Sequence, residues 1–393
     1  MDANEFEPVA HLFDEPSETP NPWDGARRAL VLQGGGALGA YQGGIYEALD
    51  KRGLRPDWVA GISIGAINAA LIAGNPPERR VERLREFWEL DSSAVPFSLP
   101  TPTERGRQAA SELGAMTAAL FGAPGFFTPR VPTGLFWSQA LMGAGGSGAI
   151  SLYDTTPLRA TLERLVDFDL INSGAVRLSV GAVHVLTGNS VLFDNTLQTI
   201  GPEHIMASGA LPPGFPPVMV DGEPYWDGGL VSNTPLEFVL EQNDQDDMIV
   251  FQVDLFNARG PMPLSLLEVD EREKDIRYSS RTRLNTTANV RLHQAKTALQ
   301  MLINTLPPEV REREEVAALA ALAKENAVTI VQLIYRKRPY EGGAKDYEFS
   351  RQTMLDHWAC GMADIDHCAS RAHLLFAKPP TAGVTLIDPG LTD

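Results

Sequence analysis

The run ALVLQGGGALGAYQGGIYEALDKRGLRPDWVAGISIGAINAALIA, residues 29–73, decides the fold. It opens on Ala29-Leu30-Val31-Leu32-Gln33, a short apolar run suited to a strand buried on both faces. A glycine cluster follows from Gly34 to Gly39, and residues 40–49 then carry Tyr41, Ile45, Ala48 and Leu49 at helical spacing. The pattern repeats at once. Residues 58–62 (WVAGI) read as a second strand, Ser63 stands at its end, and residues 64–73 (IGAINAALIA) read as a helix of small and apolar residues. Two consecutive strand–turn–helix units predict an α/β fold, with a mostly parallel sheet covered by helices on both faces.

Outward from this run, residues 1–26 hold seven acidic residues and no Lys or Arg, and read as a flexible acidic arm. That start lacks the basic and then apolar pattern of a signal peptide. No stretch reads as a spanning helix, so a cytoplasmic protein, able to visit a membrane surface, is expected. Residues 27–260 are expected to form the main domain. Within them, 91–153 stand out as an apolar insertion or lid, because Arg130 is the sole charged residue from Leu113 to Tyr153. Residues 176–195 predict two strands around a turn at Thr187-Gly188-Asn189, and 202–208 a short helix. The apolar runs 248–253 and 328–335 are suited to further strands. Residues 261–393 are expected to be a C-terminal extension, helical with at least one added strand. No internal repeat of fixed period is present.

The net charge of −17 over 393 residues opposes nucleic-acid binding, which needs Lys and Arg against the phosphates. It also opposes electrostatic docking on anionic membranes, so any lipid contact must be mainly apolar. The two cysteines, Cys360 and Cys368, make no disulfide framework, and zinc-ligand spacing is absent. No metal and no cofactor are expected.

Three turns carry chemistry. Gly61-Ile62-Ser63-Ile64-Gly65 is a GxSxG pattern between strand and helix. A sharp turn there pushes the serine hydroxyl outward while the flanking glycines let backbone pass close by. The helix after it also directs its positive end at the serine. Gly34-Gly35-Gly36-Ala37-Leu38-Gly39 presents bare N–H groups; donors aimed at a developing oxyanion lower an acyl-transfer barrier by roughly 3–4 kcal/mol. The same run fits the dinucleotide pattern GxGxxG, but the end of the second strand, where the ribose-binding acid belongs, holds the serine motif instead. Asp227-Gly228-Gly229 is a carboxylate on a turn with little steric bulk beside it. Taken alone it is also an ordinary Asp-Gly turn.

In this order the three motifs resemble the patatin-like phospholipases, whose pattern is a GGGxxG loop, then GxSxG, then a distant DGG or DGA. Residues 207–217, Ala207-Ser208-Gly209-Ala210-Leu211-Pro212 through Phe215-Pro216-Pro217, share the likeness, which covers roughly residues 28–235. The resemblance implies a patatin-like three-layer α/β/α fold and a Ser-Asp dyad of Ser63 and Asp227. It also implies an oxyanion hole at Gly34, Gly35 and Gly36, supported by Ala37, Leu38, Gly39, Gly61, Gly65, Gly228 and Gly229. The substrate it implies is a fatty-acyl ester of a lipid. Where many members carry Arg or Lys in the glycine loop this chain has Leu38, which leaves a thioesterase or polyester hydrolase as an alternative. A non-catalytic acyl-lipid-binding protein is a third reading. Residues 346–358, from Asp346-Tyr347 to His357-Trp358, resemble the C-terminal extension of a bacterial subset, with no role attached.

An unperturbed aspartate titrates near about 3.9 and is a poor base at neutral pH, so Asp227 needs a dry pocket. Tyr225, Trp226 and Phe215 are the expected walls. His184 and His204 are the competing bases, both expected to be structural. Phe126, Phe127, Leu135 and Phe136 are expected either to face lipid or to be buried against the sheet.

Overall fold

A computed structural model of the chain describes residues 25–94, 103–130, 150–243, 247–323, 326–336, 341, 345–370 and 383–389. The acidic arm, apart from its last two residues, lies outside the described residues, as do Leu135 and Phe136.

The strands are β1 (Arg27–Leu32), β2 (Trp58–Ile62), β3 (Thr128–Pro129), β4 (Tyr153–Asp154), β5 (Arg177–His184), β6 (Ser190–Asp194), β7 (Val218–Val220), β8 (Glu223–Asp227), β9 (Met248–Asp254), β10 (Ala327–Ile334) and β11 (Gly383–Ile387). Nine of them form one sheet in the order β11-β10-β9-β1-β2-β5-β8-β7, with β6 also paired to β5; β3 and β4 make a separate two-stranded ladder. From β11 to β5 all neighbours are parallel. The strands β6, β7 and β8 pair antiparallel. Helices cover the sheet, beginning with α1 (Gly39–Lys51), α2 (Ile64–Ala73), α3 (Arg80–Asp91) and α4 (Glu104–Phe121).

The strand β1 is central, flanked by β9 and β2, and Ala29 to Leu32 are almost fully buried. That explains why its sequence is a continuous apolar run rather than an alternating one. The apolar side chains of α2 are likewise buried all round. The predicted strands at 58–62, 176–195, 248–253 and 328–335 correspond to β2, the β5–β6 hairpin, β9 and β10. The C-terminal residues add β10 and β11 to the same sheet and place a helix, Arg351–Ser370, against α1.

One feature of register positions the site. Along one edge β5 pairs with β2 as far as Ile62↔Gly181. Pairing with β8 begins one residue later, at Ala182↔Asp227. The opposite edge of the same stretch is taken by β6, from Ser179 to Val183. Each strand has only two edges, so β2 and β8 share one and meet end to end, their C-termini converging beside residues 181–182. Ser63 leaves the end of β2 where Asp227 ends β8.

Candidate active site

Ser63 joins β2 to α2 with φ 56° and ψ −125°, a backbone conformation rarely tolerated outside glycine. The strain is held by its surroundings. The Ser63 N–H donates to Ser208 Oγ (3.1 Å), and that hydroxyl donates to the Gly181 carbonyl (2.6 Å). The Ser63 carbonyl receives the N–H groups of Ala66 (2.9 Å) and Ile67 (3.3 Å), opening the helix. A Cβ on Gly61 would collide with the Gly65 carbonyl, and one on Gly65 with the Leu32 carbonyl. The two motif glycines therefore allow the turn to fold back on β1.

Asp227 is 1% exposed. Its carboxylate accepts, at Oδ1, a hydrogen bond from the Gly229 N–H (2.7 Å), and the Ser63 hydroxyl lies beside it, close enough to favour the ionised form. Its own N–H donates to the Ala210 carbonyl (3.0 Å). Burial pushes the carboxyl up to about 6, against the pull of the Ser63 hydroxyl and the Gly229 N–H. A Cβ on Gly228 would press on the Gly181 carbonyl and the Ile62 side chain, so the turn after Asp227 lies directly on the end of β2.

The glycine loop is fixed from several sides. Asn233 Nδ2 donates to the Gly34 carbonyl (2.9 Å), and the Gly34 N–H donates to the Asn233 carbonyl (3.2 Å). Gly34 was expected to be one of three oxyanion donors; its N–H instead ties the loop to the aspartate turn. The N–H groups of Gly35 and Gly36 take no hydrogen bond among the described residues, and both glycines border the cavity with Ser63. Gly36 has φ 55° and lies so close to the Asp346 carbonyl that no Cβ fits there. Beneath the loop, Gln33 Oε1 accepts from the N–H groups of Leu255 (2.6 Å) and Phe256 (3.2 Å). The Gln33 carbonyl accepts from Gln42 (2.7 Å), Gln42 from Asn68 (2.9 Å), and Asn68 from the Trp88 indole (3.0 Å). Ala37 and Leu38 are buried in the core, and Gly39 packs beside Ile64 and Trp88. No side-chain cation therefore projects from position 38.

Ser63 and Asp227 open into a cavity of about 480 Å³. Its apolar wall is an interlocked aromatic group, with ring centres 5.3 Å apart for Phe127 and Phe215, 5.6 Å for Phe126 and Phe215, 4.9 Å for Phe127 and Tyr153, and 6.0 Å for Phe127 and Phe349. Phe215 is thus a wall residue, as expected, whereas Tyr225 and Trp226 do not border the cavity; Tyr225 packs against His184 and Phe193 instead. Phe126 and Phe127 are buried. Leu113, Met116, Leu120 and Phe121 on α4 are exposed, and Ala118 and Ala119 of the same helix border the cavity.

Neither histidine reaches the cavity. His184 pairs with Glu223 (3.1 Å). His204 accepts the Gly201 N–H at Nδ1 (2.9 Å) within the first turn of its helix, and burial lowers its pKa against the pull of Glu203. Among the described residues no cluster of three or more His, Cys, Asp or Glu is suited to hold a metal, and no helix is long and apolar enough to cross a membrane. Cys360 and Cys368 form no disulfide.

Several site residues escaped the sequence. Ser208 falls in the stretch 207–217 and Asn233 six residues after Asp227, but nothing in the sequence marks them as the struts of Ser63 and Gly34. Tyr278, Asp346, Tyr347 and Phe349 border the cavity from the C-terminal third of the chain, where the resemblance of residues 346–358 carries no role and nothing marks Tyr278. Tyr278 stacks on Phe256 (4.8 Å), and burial raises its phenol pKa, with the negative charge of Asp227 adding to the effect.

A family model described as patatin-like phospholipase matches residues 30–240, more than half of the chain. A second, described as patatin phospholipase, matches residues 276–380. A patatin-like phospholipase domain-containing protein of Caenorhabditis elegans is 41% identical over 59 residues, which is 15% of this chain and 5% of that protein's length. Among solved structures, VipD from Legionella pneumophila aligns over 85% of this chain and 67% of its own, at 16% identity and a TM-score of 0.32. ExoU from the type III secretion system of Pseudomonas aeruginosa, solved in complex with SpcU, aligns over 73% of this chain and 60% of its own, at 18% identity and a TM-score of 0.24.

Proposed function

The chain belongs to the patatin-like phospholipase family, and on that premise we propose that it is a serine acyl hydrolase that cleaves fatty-acyl esters of lipids through a dyad of Ser63 and Asp227. The observation that carries this reading is that the Ser63 hydroxyl and a desolvated Asp227 carboxylate stand side by side and line the same aromatic-walled cavity.

In the proposed reaction Ser63 Oγ attacks the ester carbonyl carbon and its proton passes to Asp227. A carboxyl held at about 6 is a far better proton acceptor than an ordinary aspartate, yet is still mostly ionised at neutral pH. The carbonyl oxygen becomes an oxyanion facing the N–H groups of Gly35 and Gly36. Collapse of this intermediate breaks the ester bond, and the leaving alkoxide takes the proton from Asp227. Water then gives a proton to Asp227 and attacks the acyl-serine. A second collapse releases the fatty acid and returns the proton to Ser63. The aromatic wall suits an acyl chain and keeps bulk water from the carboxylate.

A peripheral contact with lipid is part of this reading. The exposed apolar side chains belong to the same helix, α4, whose Ala118 and Ala119 border the cavity, so a lipid surface held there would lie beside the cavity. Thioester and polyester substrates use the same chemistry, and the buried Leu38 gives no charge that selects a phosphate head group.

The test compares the parent protein with Ser63→Ala and Asp227→Asn on p-nitrophenyl esters, phospholipid vesicles and acyl-CoA, alongside fluorophosphonate labelling. Loss of both hydrolysis and labelling in Ser63→Ala is expected, with preference among the three substrates naming the ester class. Near-parent rates in either variant would refute the dyad. A parent protein that binds lipid but neither labels nor hydrolyses would make it an acyl-lipid-binding module.

A further inference from the structure

Ala37 follows directly on the two glycines whose N–H groups border the cavity, and both of its peptide groups are gripped from the C-terminal third of the chain. Its N–H donates to the Asp346 carbonyl (2.8 Å). Its carbonyl lies 3.4 Å from His357 Nδ1. A carbonyl only accepts, so a hydrogen bond here requires the proton on Nδ1.

Each grip is anchored. His357 is fully buried, and its Nε2 faces Glu341 Oε1 (3.1 Å), which also receives the Tyr335 hydroxyl. Its helix, Arg351–Ser370, crosses α1 with backbone in contact with backbone. A Cβ on Gly44 would strike the Trp358 carbonyl, and one on Gly361 the Tyr41 carbonyl. The Trp358 indole donates to Glu47 in α1 (2.8 Å). The segment 345–347 is tied to the long helix Leu266–Thr305 by Lys345 to Asp275 (2.7 Å) and Lys274 to Asp346 (3.5 Å). On its other side it fills the space that a side chain at position 36 would need.

The orientation of the Gly35 and Gly36 N–H groups depends on the torsions of a loop that glycine leaves soft. Fixing both peptide groups of the next residue removes that freedom at its downstream end. We propose that the C-terminal residues act as a clamp on the oxyanion-binding turn, with His357 and the main chain of Asp346 as positioning residues acting through Ala37. The inference rests on the proposed dyad chemistry and adds a role for the segment that resembles an extension of unassigned function. His357 does not touch the cavity and takes no part in proton transfer.

The competing account makes His357 a core residue that matters only through Glu341 and Tyr335. Two substitutions separate them, because an asparagine amide nitrogen falls near the place of histidine Nδ1 and a glutamine amide nitrogen near that of Nε2. The clamp predicts that His357→Gln, which loses the donor to Ala37, lowers kcat roughly ten- to a hundredfold, below the full loss of an oxyanion donor, with KM within about threefold. His357→Asn keeps that donor and should retain more than about a third of the parent kcat. Equal kcat in the two, or the reverse ranking, would overturn the proposal. Lys274→Met, at a partly buried position, loosens the other grip and decides the matter should neither histidine variant fold. A several-fold lower kcat at unchanged KM supports the clamp, and parent kcat refutes it. Ser63→Ala measured beside them keeps two failures apart. Residual hydrolysis there sinks the dyad, whereas a dead Ser63→Ala with a fully active His357→Gln sinks the clamp alone.

Discussion

Lowering the pH across the range in which Asp227 titrates is the most direct probe of the site. Burial moves this carboxyl from 3.8 to about 6. That corresponds to about 3 kcal/mol of preference for the neutral acid. A carboxylate titrating at about 6 is about nine-tenths ionised at about pH 7 and about one-tenth ionised at about pH 5. If ionised Asp227 takes the serine proton, kcat/KM on a soluble p-nitrophenyl ester should fall about tenfold between those two values, since kcat/KM reports groups of the free enzyme. An ordinary aspartate at about 3.9 would stay ionised over the whole interval and leave the rate level. A profile that is flat to about pH 5 and bends only near 4 would refute the argument that desolvation tunes the base. Stability supplies a second readout with the opposite sense. The native state binds the Asp227 proton more tightly than the unfolded chain, so between about pH 4 and about pH 6 stability falls as pH rises. Asp227→Asn removes that penalty and should raise the melting temperature at about pH 7, by at most about 3 kcal/mol in stability, with the gain gone near about pH 4. An inactive variant more stable than the parent is the expected mark of a strained functional carboxylate.

Further outcomes follow from individual contacts. Asn233→Ala removes the amide that holds the Gly34 carbonyl and should lower stability by about 1–3 kcal/mol in urea unfolding, with a drop in kcat from the loosened glycine loop; unchanged kcat would mean that Asn233 holds only the fold. Gly361→Ala drives a methyl group into the Tyr41 carbonyl across the helix crossing and should cost about 1–3 kcal/mol in thermal or urea unfolding. Polar replacement of Leu113, Met116, Leu120 and Phe121 together should reduce flotation with neutral phospholipid vesicles and vesicle hydrolysis severalfold, leaving soluble-ester rates near those of the parent. Vesicle binding equal to the parent's would remove α4 from the lipid contact.

The amino-acid sequence alone determined the local parts. Strong short-range signals fix them: a continuous apolar run for a strand buried on both faces, helical spacing after the glycines, and two tight βα turns that need residues without bulk. These placed β1, α1, β2 and α2, located Ser63 and Asp227 on turns, and implied the family to which the chain belongs. The sequence could not say that Gly34 gives its N–H to Asn233, because an N–H is claimed by whichever carbonyl the fold brings near. Nor could it tell the drying aromatics apart: Phe126, Phe127 and Phe349 wall the cavity while Tyr225 and Trp226, next to the aspartate in the chain, do not.

Tertiary structure alone decided the meeting of hydroxyl and carboxylate, which stand 164 positions apart in the numbering. It depends on β2 and β8 sharing one edge of β5 and ending opposite neighbouring residues, Gly181 and Ala182. A slip of one residue in either pairing would turn the strand's side chains to the other face and separate the pair. It also decided that the C-terminal third reaches back to the glycine loop, where Asp346 and His357 flank Ala37. Periodicity and turn chemistry act over a few residues, whereas strand register and helix docking are set by the packing of the whole core.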